Sequence, residues 1–252
     1  MIKGFYAAVS AMLVNANRQH LLSHNIANLE TPGFKQILST VEDFEHTGVT
    51  FPAGNITRSY LQDVGVLGLG AMSGPEVIDH TQGGLRTTGN PLDLAVQGEG
   101  FFRVRAPEGE RFTRDGRFLR TSEGALVTVS GYPVLDQAGQ PVTLEDGLVR
   151  VAPNGEITVN GEAAGRLGLA VFEDPRADLV RDEGNLFLAN GAPAANGTVV
   201  VAQGCLEMSN ANPTQLMGQL VEVARSYEAA QKMVQNQDEL LGRTISTLGR
   251  IG

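Results

Sequence analysis

The sequence predicts an α+β protein: N- and C-terminal helices pairing as a coiled-coil-like layer, with a mostly antiparallel β domain inserted between them. Three observations carry this. Near both ends, apolar residues recur at alternating steps of three and four. Between the ends, short apolar runs are punctuated by turn pairs at near-regular intervals. Glycine supplies 31 of 252 residues, about 12% against a usual ~7%, without the three-residue period of collagen.

The N-terminal segment reads as one helix over 1–29. Its seam is Phe5, Ala8, Met12, Asn15, Gln19, Leu22, Ile26 and Leu29, a heptad-like stripe with two polar members. Thr31-Pro32-Gly33 then stops it, since proline lacks an N–H and glycine accepts positive φ. Lys3 followed by an apolar stretch to Val14 has the outline of a short signal peptide. However, no small-residue cleavage site follows, and the helical period runs through the place where cleavage would fall.

The C-terminal segment predicts a second helix over 213–249. Asn212 suits the N-cap, Pro213 the first helical position, and Gln215 a capping-box-like start. The seam runs Leu216, Leu220, Val223, Tyr227, Ala230, Val234, Gln237, Leu241, Thr244 and Leu248. A long helix with so narrow a seam requires a partner helix. The assembly seam is therefore assigned to Phe5, Met12, Leu22, Ile26, Leu29, Leu216, Leu220, Val223, Tyr227, Val234, Leu241 and Leu248.

From Leu94 onward the pattern changes to short runs such as Leu94-Ala95-Val96, Phe101-Phe102, Leu126-Val127 and Val199-Val200-Val201. Turn pairs separate them: Asp115-Gly116, Glu123-Gly124, Ser130-Gly131, Ala138-Gly139, Asp146-Gly147, Asn154-Gly155 and Asn160-Gly161. This is the cadence of antiparallel strands joined by tight turns. The organisation is thus an N-terminal helix in 1–35, an extended glycine-rich connector over 36–91, a β domain over 92–204 and a C-terminal helix in 205–252. Within the connector, Ser59–Val66 and Glu76–Asp79 read as strands.

Net charge is -9, which argues against a nucleic-acid footprint. The acidity lies in the middle. Residues 1–35 hold Lys3, Arg18 and Lys35 against Glu30, and residues 205–252 hold four basic and five acidic groups. The single cysteine, Cys205, excludes an internal disulfide and a cysteine zinc cluster. No apolar run reaches the ~18 residues of a membrane span, so no direct membrane insertion is expected.

No catalytic, cofactor or metal site is expected. His20 and His24 are four apart but lack the intervening glutamate of a zinc-protease helix. Gly65–Gly74 misses dinucleotide spacing and has no phosphate-loop lysine. Asp63, Asp79, Asp93, Asp115, Asp136 and Asp146 sit near turns, where aspartate bends the chain.

Four collinear blocks carry a family resemblance. Asn25-Ile26-Ala27-Asn28-Leu29-Glu30-Thr31-Pro32-Gly33-Phe34-Lys35 resembles the N-terminal signature of bacterial flagellar rod and hook proteins, with Asn25, Asn28, Thr31, Pro32, Gly33 and Phe34 as its marker residues. Gly89–Phe102 resembles the segment that opens their β domain. Phe112-Thr113-Arg114-Asp115-Gly116 and Ser130-Gly131-Tyr132-Pro133-Val134-Leu135 follow in order. Ala224-Arg225-Ser226-Tyr227-Glu228-Ala229, with Gln231, Lys232 and Gln235, is similar to the C-terminal helix. Length and the start Met1-Ile2-Lys3-Gly4-Phe5-Tyr6 look most like the FlgF/FlgG rod type, the proximal-rod member favoured and the distal-rod member the alternative.

The resemblance implies a non-enzymatic structural subunit of the basal body. It would polymerise helically into a hollow shaft around the export channel, with the terminal helices inside and the β domain outside. Its implied partners are copies of itself, other rod and hook subunits, and the flagellar type III export apparatus. The implied location is the periplasmic section of the basal body, reached without a cleaved signal peptide. On residue patterns alone, an all-β enzyme or carbohydrate-binding module with helical ends is the more distant alternative.

Overall fold

In the computed structural model the described residues are 2–44, 46–55, 58–194 and 199–248. The elements are α1 (Ile2–Ala27), β1 (Ile37–Asp43), β2 (His46–Asn55), β3 (Arg58–Gly68), β4 (Ala71–Ile78), β5 (Leu85–Thr87), β6 (Leu94–Gln97), β7 (Gly100–Ala106), β8 (Gly109–Thr113), β9 (Phe118–Arg120) and β10 (Leu126–Thr128). They continue with β11 (Val149–Val151), β12 (Glu156–Val159), β13 (Glu162–Arg166), β14 (Leu169–Val171), α2 (Pro175–Asp178), β15 (Leu179–Arg181), β16 (Leu186–Ala189), β17 (Val200–Gln203), β18 (Cys205–Glu207) and α3 (Pro213–Leu248). The α+β class and the pairing of terminal helices are as the sequence predicts. Two compact units are formed. One comprises Met1–His24, Ile37–Val77 and Pro213–Gly252, the other Asn25–Gln36 and Ile78–Asn212.

In the first unit, α1 and α3 pack together with a β-ribbon built from two nested strand pairs, β1 with β4 and β2 with β3. A methyl group placed on Gly4 would lie 3.6 Å from the Gln237 amide, so the start of α1 lies beside the later part of α3. On α3 the pattern is close to one-sided. Leu216 and Val223 are buried, and Leu220, Tyr227, Ala230, Val234, Gln237 and Leu241 are half-buried. Thr244 is exposed, and the side chains of Leu248 and Asp63 lie outside the described residues.

The α1 helix is less simple. Ala8 and Leu22 are buried and Phe5, Met12 and Asn15 half-buried, but Gln19 is exposed. Val14 and Leu21, off the predicted seam, are buried as well. They lie about 120° round the helix from Ala8 and Leu22, so α1 buries two stripes rather than one. The second stripe meets the ribbon, where the Ala71 N–H donates to Ser10 Oγ at 3.2 Å. Gly70, at φ +149°, stands so close that an added Cβ would sit 2.4 Å from that hydroxyl.

The second unit holds a five-stranded sheet in the order β14-β7-β8-β16-β15, every neighbour antiparallel. A three-stranded sheet β11-β12-β13 and the short pairs β9–β10, β6–β17 and β5–β18 complete it. Successive side chains on a strand point to opposite faces, and β7 exploits this with its paired phenylalanines. Phe102 and Val104 enter one core with Leu94, Phe118, Val134 and Ile157. Phe101 enters a second core with Phe112, Phe172, Leu179 and Phe187. The turn glycines Gly124, Gly131, Gly139, Gly155 and Gly161 take positive φ, which accounts for much of the excess.

Candidate functional site: the docked signature segment and the helix seams

The signature residues 25–36 belong to the second compact unit, with strands β5 to β18. Asn25 is 1% exposed and lies in the last turn of α1, which stops at Ala27 rather than Leu29. Backbone turns follow, from the Asn28 N–H to the Asn25 carbonyl and from the Thr31 N–H to the Asn28 carbonyl. Thr31 Oγ1 donates to Asn28 Oδ1 at 3.1 Å. Buried Pro32 presents its carbonyl to Asn185 Nδ2 at 2.9 Å. Ile26 and Leu29, predicted for the assembly seam, are half-buried in this unit.

Gly33 shows why the motif needs glycine there. Its φ is +68°, and a Cβ would fall 2.3 Å from the Arg114 carbonyl carbon and 2.4 Å from the Asp115 nitrogen. No side chain fits, and the conformation is one L residues resist. The Gly33 N–H donates to the Glu207 carbonyl at 2.7 Å. Phe34 is buried, with the Arg181 guanidinium 5.0 Å above its ring.

Next along the chain, Lys35 reaches an ion cluster sealed from solvent. Its Nζ donates to Glu207 Oε1 at 2.6 Å and to the Thr81 carbonyl at 2.7 Å. Arg114 donates from Nη1 to Glu207 Oε2 at 3.1 Å and from Nη2 to the Gly98 carbonyl at 2.7 Å. The Gly83 N–H adds a third donor to the Glu207 carboxylate at 2.9 Å. The Lys35 and Glu207 side chains are fully buried and that of Arg114 is 2% exposed. Beside them, Asn210 accepts from the Gln36 N–H and donates to the Asp79 carbonyl, each at 2.8 Å.

Two cations thus share one carboxylate. Burial lowers the Lys35 pKa, with Glu207 opposing and Arg114 adding to the fall. Buried charges persist only when paired and hydrogen-bonded, and Glu207 supplies the single negative group in the cluster.

His80 stands next to this charge. Its ring packs against Phe101 and Phe187, at 5.8 and 5.5 Å between centroids. Neither ring nitrogen has a hydrogen-bond partner among the described residues. Burial first, then the Lys35 and Arg114 cations, push its pKa down to about 4, against a smaller opposing effect of Asp79. The imidazole is therefore neutral at pH 7.

This arrangement is a clamp. It joins the N-terminal signature, the Phe112–Gly116 block and the strand leading to the C-terminal helix through one carboxylate. The sequence reading placed Gly33 and Phe34 in a motif but assigned nothing to Glu207. The available signal was local: a lone carboxylate among apolar neighbours in Cys205-Leu206-Glu207-Met208, alongside Lys35 and Arg114 in glycine-bearing motifs.

Comparison with known proteins accords with this layout. Three family models match successive segments: "Flagella basal body rod protein" over residues 5–35, "Flagellar hook protein FlgE/F/G D1 domain" over 95–160, and "Flagellar basal body rod FlgEFG protein C-terminal" over 202–247. The flagellar basal-body rod protein FlgF of Caulobacter vibrioides is 35% identical over 260 residues, covering 100% of both chains. FlgF of Rhizobium meliloti is 33% identical, covering 99% of each. FlgG of Bacillus subtilis is 28% identical, over 98% of this chain and 99% of its own. With full-length identity above 30% and every motif block in order, this chain belongs to the flagellar basal-body rod protein family, among its FlgF-like members.

Proposed function

We propose that this chain is a structural, non-catalytic subunit of the flagellar rod, in its proximal section. It assembles helically with copies of itself and with other rod and hook subunits into the hollow shaft that carries torque. The observation that carries the reading is the full-length FlgF likeness at 35% identity, joined to terminal helices whose seams are only partly covered within one chain. Six of the α3 seam positions from Leu220 to Leu241 remain half-buried. Further apolar contact there stabilises an assembly by about 25 cal/mol per Å².

On this reading the subunit is delivered unfolded by the type III export apparatus and acts in the periplasmic part of the basal body. No helix among the described residues is long and apolar enough to cross a membrane. The assembly seam comprises Phe5, Met12, Leu22, Ile26 and Leu29 with Leu216, Leu220, Val223, Tyr227, Val234, Leu241 and Leu248. Torque is then shared over many modest contacts, and the buried clamp at Glu207 keeps the signature segment fixed to the β domain.

The test is genetic and structural. In a bacterium whose copy of this protein is deleted, the chain should restore complete rods and swimming. Leu220→Asp or Leu241→Asp, each placing a charge in the seam, should stop rod growth at the proximal section. Complete rods without the chain, or normal rods with either variant, would overturn the reading.

A further inference from the structure

The first compact unit carries an apolar groove and, elsewhere on its surface, an apolar ridge. The groove, about 510 Å³, lies between α1 and the ribbon and is lined by Tyr6, Val9, Leu13, Phe44, Leu69 and Met72 among others, none of them charged. Tyr6 and Leu13 are 64% and 68% exposed. Large side chains so open to water on one concave face mark an interaction site.

The ridge is the outward face of the first turns of α3, where Met217 and Val221 are exposed one turn apart with Gly218 between them. Glycine inside a helix weakens it, yet nothing in this chain comes within 4 Å of where a Gly218 side chain would be. No contact within the chain therefore explains this glycine. A surface approaching from outside does.

Charge selects the occupant. A charged segment entering the groove would bury an unpaired ion. Residues 208–221 contain no charged side chain, whereas the later exposed apolar residues Met233, Leu240 and Ile245 are interleaved with Lys232, Asp238, Glu239 and Arg243. An assembly that grows without closing also needs two different surfaces on each copy, one fitting the other. We infer that the Met217–Gly218–Val221 ridge of one copy seats in the α1–ribbon groove of the next. This rests on the rod reading above and specifies one contact within it.

The experiment uses the full chain with Cys205→Ser, which removes the single native thiol. Leu13→Cys and Val221→Cys chains are purified separately, mixed at high concentration and treated with a short bismaleimide. Both positions are exposed, so the thermal midpoints should match the parent. The expected product is the mixed Leu13→Cys with Val221→Cys dimer, well above either self-pair. Gly218→Leu should raise the thermal midpoint and weaken association about tenfold or more, since the side chain fills the approach space.

Dominant self-pairs, unchanged association in Gly218→Leu, or association without the mixed cross-link would each overturn the contact. Absence of any association would overturn a second copy as the occupant. None of these touches the rod reading, which is judged separately by whether tagged chain enters isolated basal bodies.

Discussion

Lys35 and Glu207 lie 172 residues apart in sequence and meet in a 2.6 Å ion pair with both side chains fully buried. Arg114 shares the same carboxylate from the other side. The cluster is unequal, since one anion answers two cations. That inequality fixes what each deletion should do.

Glu207→Gln removes the carboxylate that both cations contact and leaves Lys35 and Arg114 buried without it. Breaking a buried pair in this way destabilises by about 3–5 kcal/mol. Lys35→Met removes a cation whose charged form burial already disfavours and leaves Glu207 held by Arg114 and the Gly83 N–H. It should change stability by less than about 1.5 kcal/mol in either direction. Urea unfolding of the two variants checks this. Equal losses would mean that the lysine is as necessary as the carboxylate and that Arg114 with the Gly83 N–H does not hold Glu207 alone.

Gly33→Ala tests the docking of the signature segment. The substitution meets backbone atoms at 2.3–2.5 Å, and its φ of +68° is unfavourable for alanine. A loss of at least about 2 kcal/mol follows, because backbone cannot move aside as a flexible side chain can. Hydrogen exchange should show the loss first at the amide of Gly33, which donates to the Glu207 carbonyl. Full protection of that amide in the variant would show that the segment tolerates a side chain.

The α3 seam was legible because one side of a solvent-facing helix is buried, and burial at Leu216 and Val223 imprints a simple period. On α1 the same reasoning found Ala8 and Leu22 but not Val14 and Leu21, since a helix buried on two stripes has no single period. In the glycine-rich stretch before the β domain, Ser59–Val66 falls within β3 and Glu76–Asp79 overlaps only the end of β4, while β1 and β2 went unread. A two-stranded ribbon need bury neither face, so alternation is weak. Glu207 was illegible for another reason. The one local sign, a carboxylate among apolar neighbours, does not name its partners; ion pairing over 172 residues is set by the fold that brings the three blocks together.

His80 makes stability depend on pH. Its folded-state pKa of about 4 lies below the ordinary 6.5, so the unfolded chain binds more protons between those values. The contribution is intact above about pH 6.5 and is lost as pH falls toward 4. Allowing for solvent screening of a partly exposed ring, the loss is roughly 1–2 kcal/mol. His80→Leu removes this component while keeping an apolar group against Phe101 and Phe187. Carboxylates titrate in the same range, so the measurement is the difference between the two proteins. Parent and variant should diverge in thermal midpoint from pH 7 to 4.5, the parent falling further. Parallel curves would show that the imidazole is solvated.

The terminal helices should be the first parts of the isolated subunit to open. A helix is held mainly by the packing of its apolar face, and on α3 the seam beyond Val223 is only half-buried while Arg225, Lys232 and Arg243 stand exposed. In the second unit the phenylalanines of both cores are nearly or fully sealed from solvent. Local opening is cheapest where few apolar contacts close it. Trypsin should therefore cut the diluted chain at Arg225, Lys232 and Arg243 before it cuts within 92–204. Assembly should suppress those cuts, because ordering and binding are coupled. If residues 2–30 and 213–248 resist cleavage as long as the β domain does in the dilute protein, the helical layer is complete within one chain. Assembly would then add contacts to a preformed surface rather than order it.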